Sequence, residues 1–371
     1  MNQIWFPDAS ARHHAAGIAA AFERVLRSGI FIMGDEVSAF ESEFSAAQDA
    51  RHAIGVASGT DAIELSLRAA GLGRGDRVAT VSHTAVATVA AIYRAGLEPV
   101  LVDVVSKTYT MDPESLDLAL RSDAGRGVRA VVPVHLYGHP ADMTRIADVA
   151  RAHGICIIED CAQSHLAKWK GRFAGTFGVA SAFSFYPTKN LGALGDGGAI
   201  LTDSDAMAER LKSLRQYGWR ERYISSEVGC NSRLDEIQAS VLRVKLKTLS
   251  EETRARRALA RLYDETLAGL PAALPWVHPD VEHSYHLYVI QIDRRDDVLT
   301  RMRARGVPVQ VHYPLPVHLQ PAYVGSVRVV PGGLPVTEAL AGRLLTLPLH
   351  PFMGEGEIAM VCQALRECIA G

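Results

Sequence analysis

Between about residue 53 and residue 202 the chain alternates two patterns. Short β-branched apolar runs occupy residues 53–56, 77–80, 99–102, 130–134, 155–159, 180–185 and 199–202. They are apolar on both faces, as parallel strands covered by helices on both sides must be. Between them, apolar residues return every three or four positions over 61–70, 85–95, 113–120 and 143–153. In the last of these, Ile146, Val149 and Ala150 share a face, and Gly154 supplies a stop. This alternation predicts an α/β domain with a mainly parallel sheet.

The pattern then changes. A helix is expected at 206–216, a polar and aromatic loop at 217–232, and one long helix at 234–262, free of Pro and Gly, that joins two domains. Beyond it, strands at 285–292 and 309–312 and helices at 297–305, 337–344 and 356–369 predict a smaller α+β domain. The first fifty residues hold one amphipathic helix, 15–28. The expected division is 1–245 for a large domain and 246–371 for a small one, in keeping with the usual domain size.

Composition narrows the function. Lys and Arg total 39 against 41 Asp and Glu, a formal charge of −2, so there is no electrostatic footprint for nucleic acid. No apolar stretch approaches the ~18 residues of a membrane span. The start, M-N-Q-I-W-F-P-D-A, lacks the basic-then-apolar order of a secretory signal. Five scattered cysteines with no C-x-x-C pair suit a reducing cytoplasm, and no structural zinc or other metal site is expected. The expectation is a cytoplasmic, enzyme-sized protein with no nucleic-acid or membrane partner.

In open α/β sheets, ligands bind beyond the carboxyl ends of the strands. Four motifs stand there. S-G-T-D-A-I-E (58–64) places Gly59 and Thr60 at a strand-to-helix turn, where backbone N–H groups and the helix dipole suit a phosphate. I-C-I-I-E-D-C-A-Q (155–163) puts Asp160 after an apolar strand, costly unless a cation pairs with it, with Glu159 read as solvated. S-F-Y-P-T-K-N (184–190) sets Ser184 and Lys189 beyond another strand, where a lysine can serve as an amine nucleophile. G-C-N-S-R-L-D-E (229–236) precedes the long helix, with Asn231 or Ser232 as its cap. Read alone, each also fits a helix cap or a surface charge. Together they match pyridoxal 5′-phosphate (PLP), which needs a lysine for a Schiff base, a carboxylate for its ring nitrogen and a nest for its phosphate. There is no G-x-x-x-x-G-K-[ST] loop, no G-x-G-x-x-G after a strand and no G-x-S-x-G elbow.

On these motifs, with G-T-F-G (175–178) and F-S-F-Y-P-T-K-N-L-G (183–192), the chain resembles the DegT/DnrJ/EryC1/StrS family of PLP-dependent nucleotide-sugar aminotransferases from about Ile32 to its C-terminus. The resemblance implies fold type I of the PLP-dependent transferases, the aspartate aminotransferase fold. It implies that Lys189 forms the Schiff base, that Asp160 pairs with the ring nitrogen, that Gln163 lies against the ring, and that Gly59, Thr60 and Ser184 bind the phosphate. It also implies a homodimer in which Asn231 reaches the partner's phosphate. The family's ring-stacking aromatic is replaced here by Ala85, which leaves His83 as a candidate to cover the ring.

Y-G-W-R-E-R-Y (217–223) is similar to members that aminate 3-keto sugars. The implied activity moves an amino group from glutamate to a keto group, C3, of a dTDP-linked 6-deoxyhexose, for surface glycans such as O-antigen or for natural-product glycosylation. A 4-keto enzyme and a non-catalytic PLP-binding regulator are the alternatives; a dehydratase, which carries histidine in place of the lysine, is opposed by Lys189. In V-H-Y-P-L-P-V-H (311–318), Tyr313 and His318 are candidate substrate contacts, as are Tyr217 and His165. Arg220, Arg222 and Lys168 are candidate partners for a diphosphate.

Overall fold

A computed structural model describes residues 6–370; the start of the chain, with its expected lack of a secretory signal, falls mainly outside them. Eight strands form the main sheet in the order His52–Val56, Gly198–Thr202, Ala180–Ser184, Cys156–Asp160, Val128–Val131, Arg77–Val81, Glu98–Val102 and Arg328–Val329. From Ala180–Ser184 to the far edge every neighbour is parallel. Gly198–Thr202 runs antiparallel to both strands beside it. All seven strands expected from the alternation are present, and the α/β architecture is the one expected. Ile54, Val78, Leu101, Val131, Ile158 and Ile200 are fully buried, because helices cover both faces. Each large aliphatic side chain so buried contributes about 1.5–3 kcal/mol.

The parallel arrangement brings the carboxyl ends of several strands to one edge. Ile158 pairs with Ala180 and Asp160 with Ala182, so Asp160 and Ser184 end neighbouring strands. The helix Gly59–Ala69 begins beside them, because both Val56 and Ser184 pair with Gly198. A Cβ on Gly198 would lie 2.4 Å from the Ser58 carbonyl carbon, and one on Gly59 would lie 2.7 Å from Ser184 Cβ. Glycine is what lets these segments close.

Several local expectations are corrected. The long helix at 234–262 is two, Glu236–Leu246 and Leu249–Leu267. Between them the Thr248 hydroxyl donates to the Lys245 carbonyl at 3.1 Å and to Glu252 at 2.7 Å, diverting the helical ladder without Pro or Gly. Neither Asn231 nor Ser232 caps this helix; Asp235 occupies the N-cap. Glu236 instead accepts from the Gly34, Glu36 and Val37 N–H groups at 2.8–3.0 Å. It thereby caps a helix not expected, Asp35–Ala47, which buries Val37, Phe40 and Phe44. The expected strand at 309–312 is a single bridge, Gln310 to Thr346. The expected helix at 337–344 is Pro335–Ala341, and Leu344–Leu347 pairs instead with Tyr288–Ile292. The stretch at 217–232 holds a small hairpin, Trp219–Glu221 with Ile224–Ser225.

The sheet Ala272–Ala273, Tyr288–Ile292 and Leu344–Leu347 has its own core, with Tyr263, Ile290, Leu345, Ile358 and Leu365 buried against it. The C-terminal part is not wholly separate. Arg328–Val329 adds a parallel strand to the main sheet, and Val317, Val330, Leu334 and Leu340 join the main core. Among the described residues no helix is long and apolar enough to cross a membrane.

Candidate active site

Asp160 ends its strand 4% exposed. Its Oδ2 accepts from the Thr88 hydroxyl at 2.8 Å and its Oδ1 from the Ala162 N–H at 3.1 Å. Burial raises its pKa, opposed by those two bonds and by the charge of Lys189. No cation among the described residues forms an ion pair with it. A protonated ring nitrogen would meet that need.

Lys189 lies in the loop beyond the next strand, partly covered. Its Nζ has no hydrogen bond or ion pair among the described residues. Burial lowers its pKa to about 8, with the Asp160 charge opposing. It is therefore an amine held unpaired near a carboxylate, with its proton weakly bound.

The strand-to-helix turn at Gly59 and Thr60 is closely packed. Ser58 caps the helix, its Oγ accepting from Asp61 N at 3.1 Å, and Ala62 N bonds the Ser58 carbonyl at 3.0 Å. Helix geometry leaves the Gly59 and Thr60 amides without an intrahelical acceptor. Ser184 packs on Gly59, and its Oγ accepts from Tyr186 N at 3.3 Å. Ser232 braces this turn by accepting from Ala57 N at 3.0 Å and donating to Asp61 at 2.8 Å. Asn231 beside it is exposed.

Glu159 is not solvated, although the helix-cap reading of its motif would have it so. It is fully buried and accepts from the Gly175, Phe177 and Gly178 N–H groups at 2.6–2.8 Å and from His135 Nε2 at 2.9 Å. The G-T-F-G motif is the loop that wraps this carboxylate. His135, Glu159 and Cys161 place ligand atoms within 4.8 Å of one another. However, His135 Nδ1 accepts from Ala141 N at 3.0 Å, so Nε2 carries the proton that Glu159 receives, and neither nitrogen offers a metal a lone pair.

Gln163 joins the two sides of the cleft. Its Oε1 accepts from Tyr137 N at 2.7 Å and its Nε2 donates to the Tyr313 hydroxyl at 2.9 Å. Burial raises the Tyr313 pKa to about 12, so the hydroxyl keeps a proton to donate. The Tyr137 hydroxyl donates to the His312 carbonyl.

His83 is not free to cover a ring. It is 1% exposed, with Nε2 2.9 Å from the Tyr137 hydroxyl and its ring against Tyr109 and Tyr137, and burial pushes its pKa down to about 4. His165 is not an open substrate contact either. Its ring is fully buried against Phe44, Phe183 and Phe185. His318 has both nitrogens engaged, Nδ1 with Ser82 at 2.7 Å and Nε2 with Glu338 at 3.2 Å. Tyr217 is 41% exposed, its ring against Trp219. Lys168 pairs with Glu282 at 3.6 Å, while Arg220 and Arg222 are exposed, Arg222 over Tyr223.

Three residues near the lysine were not singled out by the sequence. Asn190 contacts Ser284 and His286; His286 is buried; and His312 Nδ1 meets the Thr346 hydroxyl at 2.9 Å. The charge of Lys189 acts on both histidines, which burial keeps neutral.

The free amine, the unpaired buried carboxylate and the glycine-lined cradle fit PLP. The profile of the DegT/DnrJ/EryC1/StrS aminotransferase family matches residues 13–366. The dTDP-3-amino-3,4,6-trideoxy-alpha-D-glucose transaminase of Streptomyces venezuelae is 44% identical over 349 residues, covering 94% of this chain and 91% of that protein. The crystal structure of S. venezuelae DesV in complex with a ketimine intermediate superimposes with a TM-score of 0.93 at 44% identity, covering 97% of this chain and 96% of that one. NtdA from Bacillus subtilis with bound cofactor PMP gives a TM-score of 0.89 at 30% identity, covering 100% of this chain and 86% of that one.

Proposed function

This chain belongs to the DegT/DnrJ/EryC1/StrS aminotransferase family, and from that membership and the site geometry we propose that it transfers an amino group from glutamate to C3 of a dTDP-linked 6-deoxy-ketohexose. The reading is carried by the unpaired Lys189 amine, the buried Asp160 carboxylate whose charge acts on it, and the close approach of Gly59 to Ser184. The activity by which the S. venezuelae relative is named supports C3 and dTDP.

Pyridoxal phosphate supplies an aldehyde carbon that accepts an amine and a ring that withdraws electrons. The chain's own residues do the rest. Gly59 and Thr60 amides and the Ser184 hydroxyl hold the phosphate. Asp160 would stabilise a proton on the cofactor's ring nitrogen more strongly than a carboxylate in water would. Lys189 Nζ, neutral above about pH 8, would hold the cofactor's aldehyde carbon and, when free, would move a proton as general base and then general acid. Tyr313, held by Gln163, offers a hydroxyl proton to an oxygen of the sugar.

Further parts of the reading are a cytoplasmic homodimer in which exposed Asn231 reaches the partner's phosphate, a division near residue 246, and a product used in surface-glycan or natural-product glycosylation. Incubation with glutamate and a panel of 3-keto and 4-keto nucleotide sugars tests the reaction. Amination at C3 is expected. Amination at C4 alone overturns the regiochemistry, and no glutamate-dependent change in the visible spectrum makes the protein a non-catalytic PLP binder. In mixed dimers of Asn231→Ala and Lys189→Ala chains, a shared site restores cofactor affinity at the Lys189 site; affinity as weak as in the Asn231→Ala homodimer would return Asn231 to a local role.

A further inference from the structure

The residue after Lys189 ties the lysine loop to the opposite wall of the cleft. Asn190 is 5% exposed. Its Nδ2 donates to the Ser284 carbonyl at 3.0 Å, and its Oδ1 lies 3.3 Å from His286 Nδ1. The first contact orients the amide, nitrogen toward Ser284 and oxygen toward His286. An amide oxygen only accepts, so His286 Nδ1 carries the ring's single proton. Burial and the charges of Lys189 and Arg256 keep a second proton off.

The loop's closure does not depend on these bonds. Lys189 N bonds the Tyr186 carbonyl at 2.8 Å, and Ala193 N bonds the Phe185 carbonyl at 2.8 Å. The helix Glu236–Leu246 holds the loop's far end, with Lys245 Nζ 2.7 Å from the Gly192 carbonyl and Gln238 Oε1 2.9 Å from Leu194 N. Both Asn190 contacts instead go to residues 284–287, the crossing segment that leads into the strand Tyr288–Ile292. That segment is strung on the main domain by Ser284 N to the Gly138 carbonyl at 3.0 Å and Leu287 N to the Tyr137 carbonyl at 3.2 Å.

We propose that Asn190 and His286 are positioning residues that clamp the lysine loop to the crossing segment, aim the Lys189 amine, and pass any shift of that segment to it. The proposal rests on Lys189 bearing the cofactor. Misplacement by ~1 Å can cost about 100-fold in rate, so an adjacent tether is enough to matter.

Asn190→Ala, His286→Leu and His286→Asn test the clamp. In His286→Asn, the new amide nitrogen can stand where Nδ1–H stood. In each, the measurements are borohydride-trapped cofactor at position 189, the pH midpoint of the bound cofactor's visible band, the rate of PLP attachment to apo-protein, kcat and KM for glutamate, and the thermal midpoint of apo-protein. All three are expected to trap cofactor, with the apo-protein's thermal midpoint lowered by no more than about 10 °C in Asn190→Ala and His286→Leu and least in His286→Asn. Asn190→Ala and His286→Leu should shift the band's midpoint by about one pH unit, slow attachment about 10-fold, and lower kcat by roughly 10–100-fold with KM changed less than about 2-fold. His286→Asn should stay within about 3-fold of wild type in kcat. A wild-type midpoint and kcat in Asn190→Ala, equal losses in His286→Asn and His286→Leu, or losses that follow thermal stability alone would each overturn the clamp. Failure of wild-type protein to trap cofactor would overturn the functional reading itself, and the two failures are thereby distinguished.

Discussion

The two walls of the cleft are built in different ways. One is made of strand ends: Asp160 and Ser184 leave neighbouring parallel strands, and Gly59 opens a helix packed against them. Its backbone is set by a buried ladder, so its side chains stand on a rigid frame. The other wall runs through residues 281–318, with little regular structure beyond Val281–Glu282, Tyr288–Ile292 and Arg295–Ala304. Its polar groups are placed by single bonds to distant partners: His286 to Asn190, His312 to Thr346 and Tyr313 to Gln163. The rigid wall is suited to the covalent and acid–base chemistry. The tethered wall is suited to fitting a substrate, because it can adjust without disturbing the sheet.

If that division holds, the largest losses come from the rigid wall. Lys189→Ala removes its only candidate nucleophile. Turnover should fall by at least about 10⁴-fold and borohydride should trap no cofactor, while the circular dichroism spectrum stays native. Measurable turnover or trapping would move the covalent site elsewhere. The same lysine gives a pH signature. Its pKa is lowered to about 8, so the neutral amine prevails above that value and is lost below it. Attachment of PLP to apo-protein should therefore slow by about tenfold per pH unit below 8, and a rate flat down to pH 6 would contradict the assignment.

Asp160→Asn ranks next. An amide retains the Thr88 contact but cannot hold a positive ring nitrogen, so kcat should drop by about 10²–10³-fold with little change in thermal midpoint. An unchanged kcat would give the electrostatic role to another group.

The walls also differ in how much of them the amino-acid order reveals. Strand ends are legible because a run such as Cys156–Asp160 is apolar on both faces, which marks it as buried and parallel and marks the polar residue at its end as an anomaly. The helix 143–153 is legible for a similar local reason, with a cap at Asp142 and a stop at Gly154. The helix Asp35–Ala47 is harder. Val37, Phe40 and Phe44 show its period and Asp35 and Glu36 suit a first turn, but no neighbouring side chain caps it; the cap is Glu236, about two hundred residues away. The break at Thr248 leaves no Pro or Gly to mark it. His286 carries no motif, and His312 lies in V-H-Y-P-L-P-V-H, where nothing local distinguishes it, since only the tertiary crossing brings both under the charge of Lys189. His83 shows the converse: its place in a motif-bearing segment suggested a site role, yet Tyr109 and Tyr137 take up its ring.

Glu159 sharpens the comparison, because it belongs to the rigid wall and its work is structural. Three backbone N–H groups and His135 point at one fully buried carboxylate. Glu159→Gln turns an NH2 toward those donors and leaves at least one unsatisfied. The expected cost is about 2–3 kcal/mol in denaturant unfolding, with kcat reduced less than in Asp160→Asn. A variant as stable as wild type would mean the 175–178 loop does not depend on the carboxylate.

The smallest effect should come from the tethered wall. Tyr313→Phe removes the hydroxyl that Gln163 Nε2 meets at 2.9 Å while keeping the ring. Gln163 retains its bond from Tyr137 N at 2.7 Å, so the amide stays in place with one donor released toward the cleft. The loss is one hydrogen bond, worth about 0.5–1.5 kcal/mol, so the expected result is a roughly 3–10-fold higher KM for the keto-sugar. Glutamate-driven conversion of the bound cofactor, which makes no use of the Tyr313 hydroxyl, should change by less than about 2-fold. If that half-reaction fell as far as the sugar half-reaction, Tyr313 would be part of the chemistry, and the separation of the two walls into reacting and fitting surfaces would fail.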